Sequence, residues 1–477
     1  MTTYRNPGIP LEEISFFQPS VVEVETALPA FVGYTAKATR KYAGDLRLTP
    51  TKISSMREFE NLFGFPYENE VTIHVYNVGC DGFALSEIVE SSLQYILYYS
   101  VKLYFDNGGG SCYIVSVDLY QRPQQVVLRK SAGTKLFGLL DGLDKLAEVD
   151  DLSLIVIPEA VKLSKPDYAL LVQSVLLQCY TLGNRFSIFD LYNGDSIDPD
   201  LNHNCELFGR KYLNYGSAYY PFIKTTIHPY VNHEESNIRV TLAGESFGLD
   251  EIRQANMTLY KFAKKILRER YIVLPSCGAI AGTYATTDKM KGVWKSPTHL
   301  NLACVSEPAV SNDILLNEVV HPDHESSRPV NSIRNVSGKM KGTFVWGART
   351  LAGKEDEEEF VSVNRFIIMV KESIRSSTSW VTFERNDSET WTKIRNMIEK
   401  YLTRKWQDGA LAGVTPQQAF YVNCGLDVSM TSRDIFEGIL NIDIGLAILR
   451  PLEFFAIKIS HQLRKVYCFP PGRKKPE

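Results

Sequence analysis

Residues 103–117 read LYFDNGGGSCYIVSV, and the three glycines at 108–110 constrain what can lie on either side of them. A run of consecutive glycines ends a helix and cannot sit inside a strand without weakening it. The segment after it, from Cys112 to Val117, is β-branched and aromatic, which favours a buried strand. A glycine-rich phosphate cradle is the obvious alternative. Such a loop needs a Lys and a Ser or Thr opening a helix directly behind it. Here Ser111 and Cys112 open a strand-like run instead, so the glycines are expected to be a helix C-cap, where one takes the left-handed conformation.

The chain has 477 residues, room for about two to four domains. A hydrophobic share of 44% and a charged share of 22% are those of a packed globular protein. The net charge of −3 disfavours a general nucleic-acid binder. The eight cysteines, at 80, 112, 179, 205, 277, 304, 424 and 468, include no C-x-x-C pair. Scattered in this way, they are expected to behave as small buried hydrophobes in a reducing compartment. The first residues, MTTYRNPGIPLEEI, do not have the basic start and apolar core of a secretory signal. No apolar run is long enough to span a bilayer. The expectation is synthesis in the cytoplasm and no insertion of this chain into a membrane.

Pro7, Gly8, Pro10 and Pro19 forbid a helix near the start and predict an extended arm over 1–20. Its apolar residues, Ile9, Leu11, Ile14, Phe16 and Phe17, need a surface to cover. Short strands are predicted at 21–24 and 30–34. A helix is predicted over 82–105, with Ile88, Leu93, Ile96 and Leu97 on one face. The strand 112–117, an amphipathic stretch near 135–147, a strand at 153–157, a helix at 166–182 and a strand at 185–190 follow. This alternation indicates an α/β layer. Strands are then expected at 218–222 and 238–242 and a helix at 250–270, before a Gly-, Ser- and Asn-rich region over 281–345.

Two amphipathic helices come next. Residues 357–376 place Phe360, Val363, Phe366, Ile367, Val370 and Ile374 on one stripe, and Glu355–Glu359 gives an acidic N-terminal end. Residues 388–407 do the same with Trp391, Ile394, Ile398, Tyr401, Leu402 and Trp406. Around that stripe lie Lys393, Arg395, Lys400, Arg404 and Lys405, either a solvated face or a docking surface for an acidic partner. Strands are predicted at 439–444 and 454–459. The end of the chain, with Ile457, Ile459, Leu463 and Val466, is either an intramolecular edge strand or a strand donated to a neighbour. The fold class expected overall is a multidomain α+β or α/β chain.

Few constellations point to catalysis. Gly244-Glu245-Ser246-Phe247-Gly248 matches the G-x-S-x-G nucleophile elbow, with Asp288 and His299 or His321 as possible triad partners. A serine hydrolase at Ser246 is therefore the alternative reading. His321 and His324, with Asp323 and Glu325, form a weak ligand pattern in a polar segment. No catalytic residue, cofactor or metal is assigned. The sequons at Asn256, Asn335 and Asn386 are expected to be unused in the cytoplasm. A soluble adhesin-like module is a third reading.

Several strings, in order, carry a resemblance. They are PGIPLEEI at 7–14, TALPAFVGYT at 26–35, FENLFG at 59–64, YFDNGGGSCY at 104–113 and LIVIP at 154–158. Arg185-Phe186, Tyr219-Tyr220-Pro221, GVWKSP at 292–297, VWGARTL at 345–351, GALxGxTP at 409–416 and Ala419-Phe420 follow. Together they resemble the contractile tail sheath proteins of phages and of phage tail-like injection systems. The chain departs from that family's pattern at Thr298-His299 and at the turn 337–342. The resemblance implies an inner domain built from both chain ends and an inserted outer α/β domain. The expected divisions are an arm over 1–20, an outer or middle region over 21–345 (subdivided near 100–280), an inner tube-facing domain over 346–455, and a strand arm and tail over 456–477. It implies no enzymatic activity but helical self-assembly in stacked sixfold rings around an inner tube protein, with baseplate and terminal cap proteins as further partners and no direct nucleic-acid contact. Contraction from a metastable extended state would drive the tube through a target envelope. Ile9, Leu11, Ile14, Phe16, Ile457, Ile459, Leu463 and Val466 would then belong to inter-subunit arms.

Overall fold

The computed structural model describes residues 20–78, 82–90, 93–130, 136–196, 201–230, 235, 237–310, 329–336, 341–353 and 359–463. The chain divides into two compact units, Glu25–Met369 and the two chain ends, Met1–Val24 with Val370–Glu477. The second division falls inside one helix, Val361–Ser377, whose apolar periodicity gives no sign of it.

The larger unit is organised by an eight-stranded sheet. Its middle six strands, in spatial order Asn331–Val336, Gly216–Tyr220, Phe186–Asp190, Leu154–Val156, Pro29–Thr35 and Cys112–Leu119, pair in parallel. Antiparallel strands Gly342–Trp346 and Thr51–Ile53 close the two edges. Parallel strands are covered on both faces and so read as unbroken apolar runs; every residue of PAFVGYT at 29–35 is buried. Ala30, Val32 and Tyr34 pack with helices Leu139–Leu146 and Lys165–Leu182. Phe31 points the other way, toward Leu97–Asp106 and Cys277–Lys291.

Those last two helices approach closely because Gly278 and Gly282 stand one turn apart on the contact. A Cβ at Gly278 would collide with the Ser100 carbonyl, and one at Gly282 would come within 2.6 Å of the Tyr104 carbonyl oxygen. Gly278→Val is expected to lower the unfolding free energy of the larger unit by about 3 kcal/mol, the upper part of the overpacking range. Urea denaturation followed by tryptophan fluorescence measures it.

The triple glycine is a C-cap, as its chemistry predicted. Gly109 N–H donates to the Tyr104 carbonyl (2.9 Å) and Gly108 N–H to that of Phe105 (3.0 Å), the two bonds of a Schellman motif. Gly108 has φ +87°, and a Cβ on Gly109 would lie 2.5 Å from the Tyr104 ring. VWGARTL is equally structural: Gly347 (φ +116°) brings the chain against Asn331, which accepts from Arg349 N–H (2.8 Å) and donates to its carbonyl (2.9 Å).

Buried ionisable side chains hold helix ends in this unit. Glu159 is fully buried and accepts from the backbone N–H of Tyr34, Ile96 and Leu97 at 2.9–3.2 Å, at the start of the 97–106 helix. Asp190 accepts from Ser276 and Cys277 at the start of the 277–291 helix. Arg185 donates to the Leu146 and Val149 carbonyls, beyond the end of the 139–146 helix. Burial raises the Glu159 carboxyl from 4.5 to about 8, against the pull of the three N–H donors and Lys162. The folded state therefore holds a proton that the unfolded state has released. The stability this confers is present below pH about 4.5 and lost as pH rises through about 8. Glu159→Gln is expected to flatten the slope of stability against pH in that window, as measured by denaturation at a series of pH values.

A smaller lobe of the same unit is a four-stranded sheet, Glu245–Gly248, Ile238–Leu242, Val71–Asn77 and Phe83–Glu90 in spatial order. Helices Leu249–Ala255 and Met257–Arg268 pack on it. A short three-stranded sheet combines Val273–Leu274, Ile223–Thr225 and Val305–Pro308. The sequence expectation of a helix from 82 fails here. Residues Phe83–Glu90 pair antiparallel with Val71–Asn77, so Ile88 is a strand residue and only Leu97–Asp106 is helical. Residues 250–270 form two helices, separated at Asn256, which caps the second by accepting from Leu259 N–H (3.0 Å).

The smaller unit has an antiparallel sheet, Phe420–Asn423, Ile439–Leu446 and Phe455–Gln462. The helix Ser388–Gln407 has the predicted bounds and packs on the sheet's first strand. Asp387 caps it by accepting from Thr390 N–H (3.0 Å), and that bond holds the Asp387 carboxyl below its usual range. Ile394, Met397, Ile398, Tyr401 and Leu402 form its buried stripe, with Trp391 and Trp406 half-buried. The predicted strand at 21–24 is absent. Those residues run extended, and the N–H groups of Val22 and Val24 donate to the Ser377 and Ser373 hydroxyls rather than to a strand.

Candidate assembly surfaces

The exposed face of the Ser388–Gln407 helix carries Glu389, Lys393, Asn396, Lys400 and Arg404 at three- and four-residue spacing. Opposite the buried stripe, that spacing puts them in one line. Lys400 and Arg404 are exposed and make no ion pair among the described residues. Lys393 lies 2.7 Å from Glu389, an exposed pair worth only a few tenths of a kcal/mol. Arg395 is half-buried beside the apolar stripe.

Lys405 does not belong to this face. Its side chain is 9% exposed and lies 2.6 Å from Glu23 and 3.3 Å from Asp408. It anchors the start of the described chain to the helix within the smaller unit. The sequence offers five cations around this stripe, as a solvated face or as a docking surface. The structure turns Lys405 inward, half-buries Arg395, and leaves Lys400 and Arg404 exposed with no ion pair among the described residues.

The expected C-terminal arm is also partly corrected. Ile457, Ile459 and Leu463 are buried residues of this chain, and Phe455–Gln462 is an edge strand paired residue for residue with Ile439–Leu446. Among the described residues no strand covers its outer edge. An open edge of eight residues presents free backbone donors and acceptors to another chain. Val466, and Ile9, Leu11, Ile14 and Phe16, lie outside the described residues.

Sequence reasoning missed a set of exposed apolar side chains in the smaller unit. Phe436 is 86% exposed and Val414 85%, with Val428, Leu452, Leu449 and Leu426 also exposed. They lie in turns and on the short helix Ser432–Glu437, where no periodicity marks them. Exposed apolar side chains mark a contact surface where they form a contiguous patch.

The hydrolase reading loses its geometry. Ser246 is exposed in the strand Glu245–Gly248, opposite Thr241 in a hairpin turned by Ala243 (φ +53°) and Gly244 (φ +90°). It is not on a sharp strand-to-helix turn, as a nucleophile elbow requires. Asp288 is held by Arg365 and by the Thr26 hydroxyl, and His299 packs on the Trp346 ring. The segment with His321, Asp323, His324 and Glu325 lies outside the described residues; among those described, no group of three or more His, Cys, Asp or Glu side chains could hold a metal ion. Cys112, Cys179, Cys205, Cys277 and Cys424 are buried and unbridged, and burial pushes the Cys179 thiol up to about 12. Cys80 and Cys468 lie outside the described residues. No helix among those described is long and apolar enough to cross a membrane.

Residues 355–462 match the phage tail sheath C-terminal domain family. A 144-residue stretch, 30% of this chain, is 26% identical to the tail sheath protein of Vibrio phage KVP40, and the match spans 21% of that protein's length. The fold as a whole is similar to the contracted sheath of an extracellular contractile injection system, PVC (TM-score 0.61, 24% identity, covering 96% of this chain and 98% of that one). It is also similar to the contracted helical sheath of the anti-feeding prophage (TM-score 0.60, 24% identity, 96% and 99% covered). A sheath tail protein from Desulfitobacterium hafniense shares the fold at 8% identity (TM-score 0.50, 97% and 100% covered). Residues 355–462 thus match the phage tail sheath C-terminal domain, and the fold of nearly the whole chain is similar to that of contractile sheath proteins.

Proposed function

We propose that the chain is a structural subunit of a contractile sheath. It polymerises helically around an inner tube, in stacked sixfold rings, and contracts from a metastable extended array to drive the tube through a target envelope. The observation that carries this reading is the match of fold along 96% of the chain to sheath subunits, with coverage of 98% in the other direction. The smaller unit, made from both chain ends, is the inner, tube-facing domain, and the larger unit is the outer one.

Its surface supports these roles. The open edge strand Phe455–Gln462 can accept a strand from a neighbour. The exposed apolar turns supply area that a subunit interface can bury, and Lys400 and Arg404 supply charge for an acidic tube surface. Contraction then draws its free energy from newly buried interface rather than from nucleotide hydrolysis, with the terminal arms keeping neighbours connected. Baseplate and cap proteins close the ends of the array, and the particle is a phage tail or a tail-like injection machine assembled in the cytoplasm.

Analytical ultracentrifugation of the full chain tests the polymerisation. A concentration-dependent passage from subunit to assemblies of megadalton size is expected. A single species of about 54 kDa at every concentration would contradict the reading.

A further inference from the structure

The four-stranded lobe is joined to the rest of the larger unit by four chain crossings, and a cavity of about 250 Å³ lies among them. Each crossing contributes to its wall: Tyr67, Asn69 and Val71, Glu90 and Leu93, Pro229 and Tyr230, and Arg270–Val273. Tyr99 and Lys162 complete the wall from the body of the unit. Small-molecule sites favour such junctions between packed substructures.

The lining combines flat aromatic walls with two cations. Arg270 uses Nη2 on Glu90, while its Nη1 is buried with no hydrogen-bond partner among the described residues. A buried, unsatisfied guanidinium N–H is costly, and an anionic oxygen is its best acceptor. Lys162 is half-buried and makes no ion pair among the described residues. Asp195 and Glu159 act on it electrostatically, but the Glu159 side chain is already engaged by three backbone N–H groups. Tyr67, Tyr99 and Tyr230 line the same cavity.

We propose that this cavity is a binding site for a small organic anion, a carboxylate or phosphate monoester carrying a planar group, held by Arg270 and Lys162 between the tyrosines. A ligand there touches all four crossings at once and so fixes the lobe to the body of the unit. The site is independent of the sheath reading and uses no residue invoked for assembly.

Isothermal titration of the full chain with phenyl phosphate, and separately with benzoate, tests it. Saturable one-to-one binding of either probe is expected, weakened at least about tenfold by Arg270→Gln and by Lys162→Met, the loss set by one charge-assisted hydrogen bond. Arg270→Gln also frees Glu90 and can perturb folding. Lys162→Met breaks no ion pair among the described residues, so it keeps the test decisive. Absence of saturable binding by both probes, or binding that Lys162→Met leaves unchanged, overturns the proposal.

Discussion

If the helix face docks on a tube as proposed, a chain carrying Lys400→Glu and Arg404→Glu is expected to fold normally and to fail to form extended assemblies. Both residues are exposed and free of ion pairs among the described residues, so reversing them costs the fold no more than about 0.5 kcal/mol. The consequence falls on the interface, where like charges brought together cost several kcal/mol per site and repeat in every subunit. Circular dichroism should match the parent chain while electron microscopy shows no extended tubes. Two neighbouring substitutions give the contrast. Lys393→Glu has a smaller effect, because Lys393 already faces Glu389. Lys405→Glu disturbs the smaller unit itself, because Lys405 is buried against Glu23. Normal extended particles from the double reversal would refute the docking assignment.

Arg365→Met destabilises the larger unit by about 3–5 kcal/mol, the cost of leaving a buried charge without its partner. The Arg365 and Asp288 side chains are 3% and 7% exposed and 2.5 Å apart. Arg365 also donates to the Thr26 carbonyl (3.0 Å) and lies 4.6 Å above the Tyr284 ring. Together these join the start of this unit, near residue 26, to helices 277–291 and 361–377. Removing the guanidinium strands Asp288 beside an apolar helix packing. Adding Asp288→Leu to Arg365→Met should restore most of the loss, since a buried pair replaced whole by apolar groups is often neutral. Guanidinium denaturation of the two variants measures it, and equal stabilities for Arg365→Met and the parent would contradict it.

The sequence was most legible where one physical rule dominated. The strands at 29–35, 112–119, 154–156 and 186–190 are buried on both faces and read as apolar runs. The helix 388–407 has a side-chain N-cap and a clean apolar stripe. It was least legible where rules competed. Residues 83–90 hold apolar positions that continue a helical spacing into 93–97, yet pairing with 71–77 decides their state. The helix 277–291 escaped notice because CGAIAGTYATTDKMK has no polar face to set its period; it is buried nearly all round over its first two turns and packs through glycines. Of the assembly surface, the charged helix was visible as a pattern. Which of its cations stay exposed was not, because Lys405 is turned inward by Glu23, 382 residues away in sequence.

The sheath reading is tested most directly by negative-stain electron microscopy of the full chain, expressed alone and again with its tube protein. Long, ribbed, hollow cylinders with helically repeating subunits are the predicted result. A monodisperse globular particle in both preparations would contradict it.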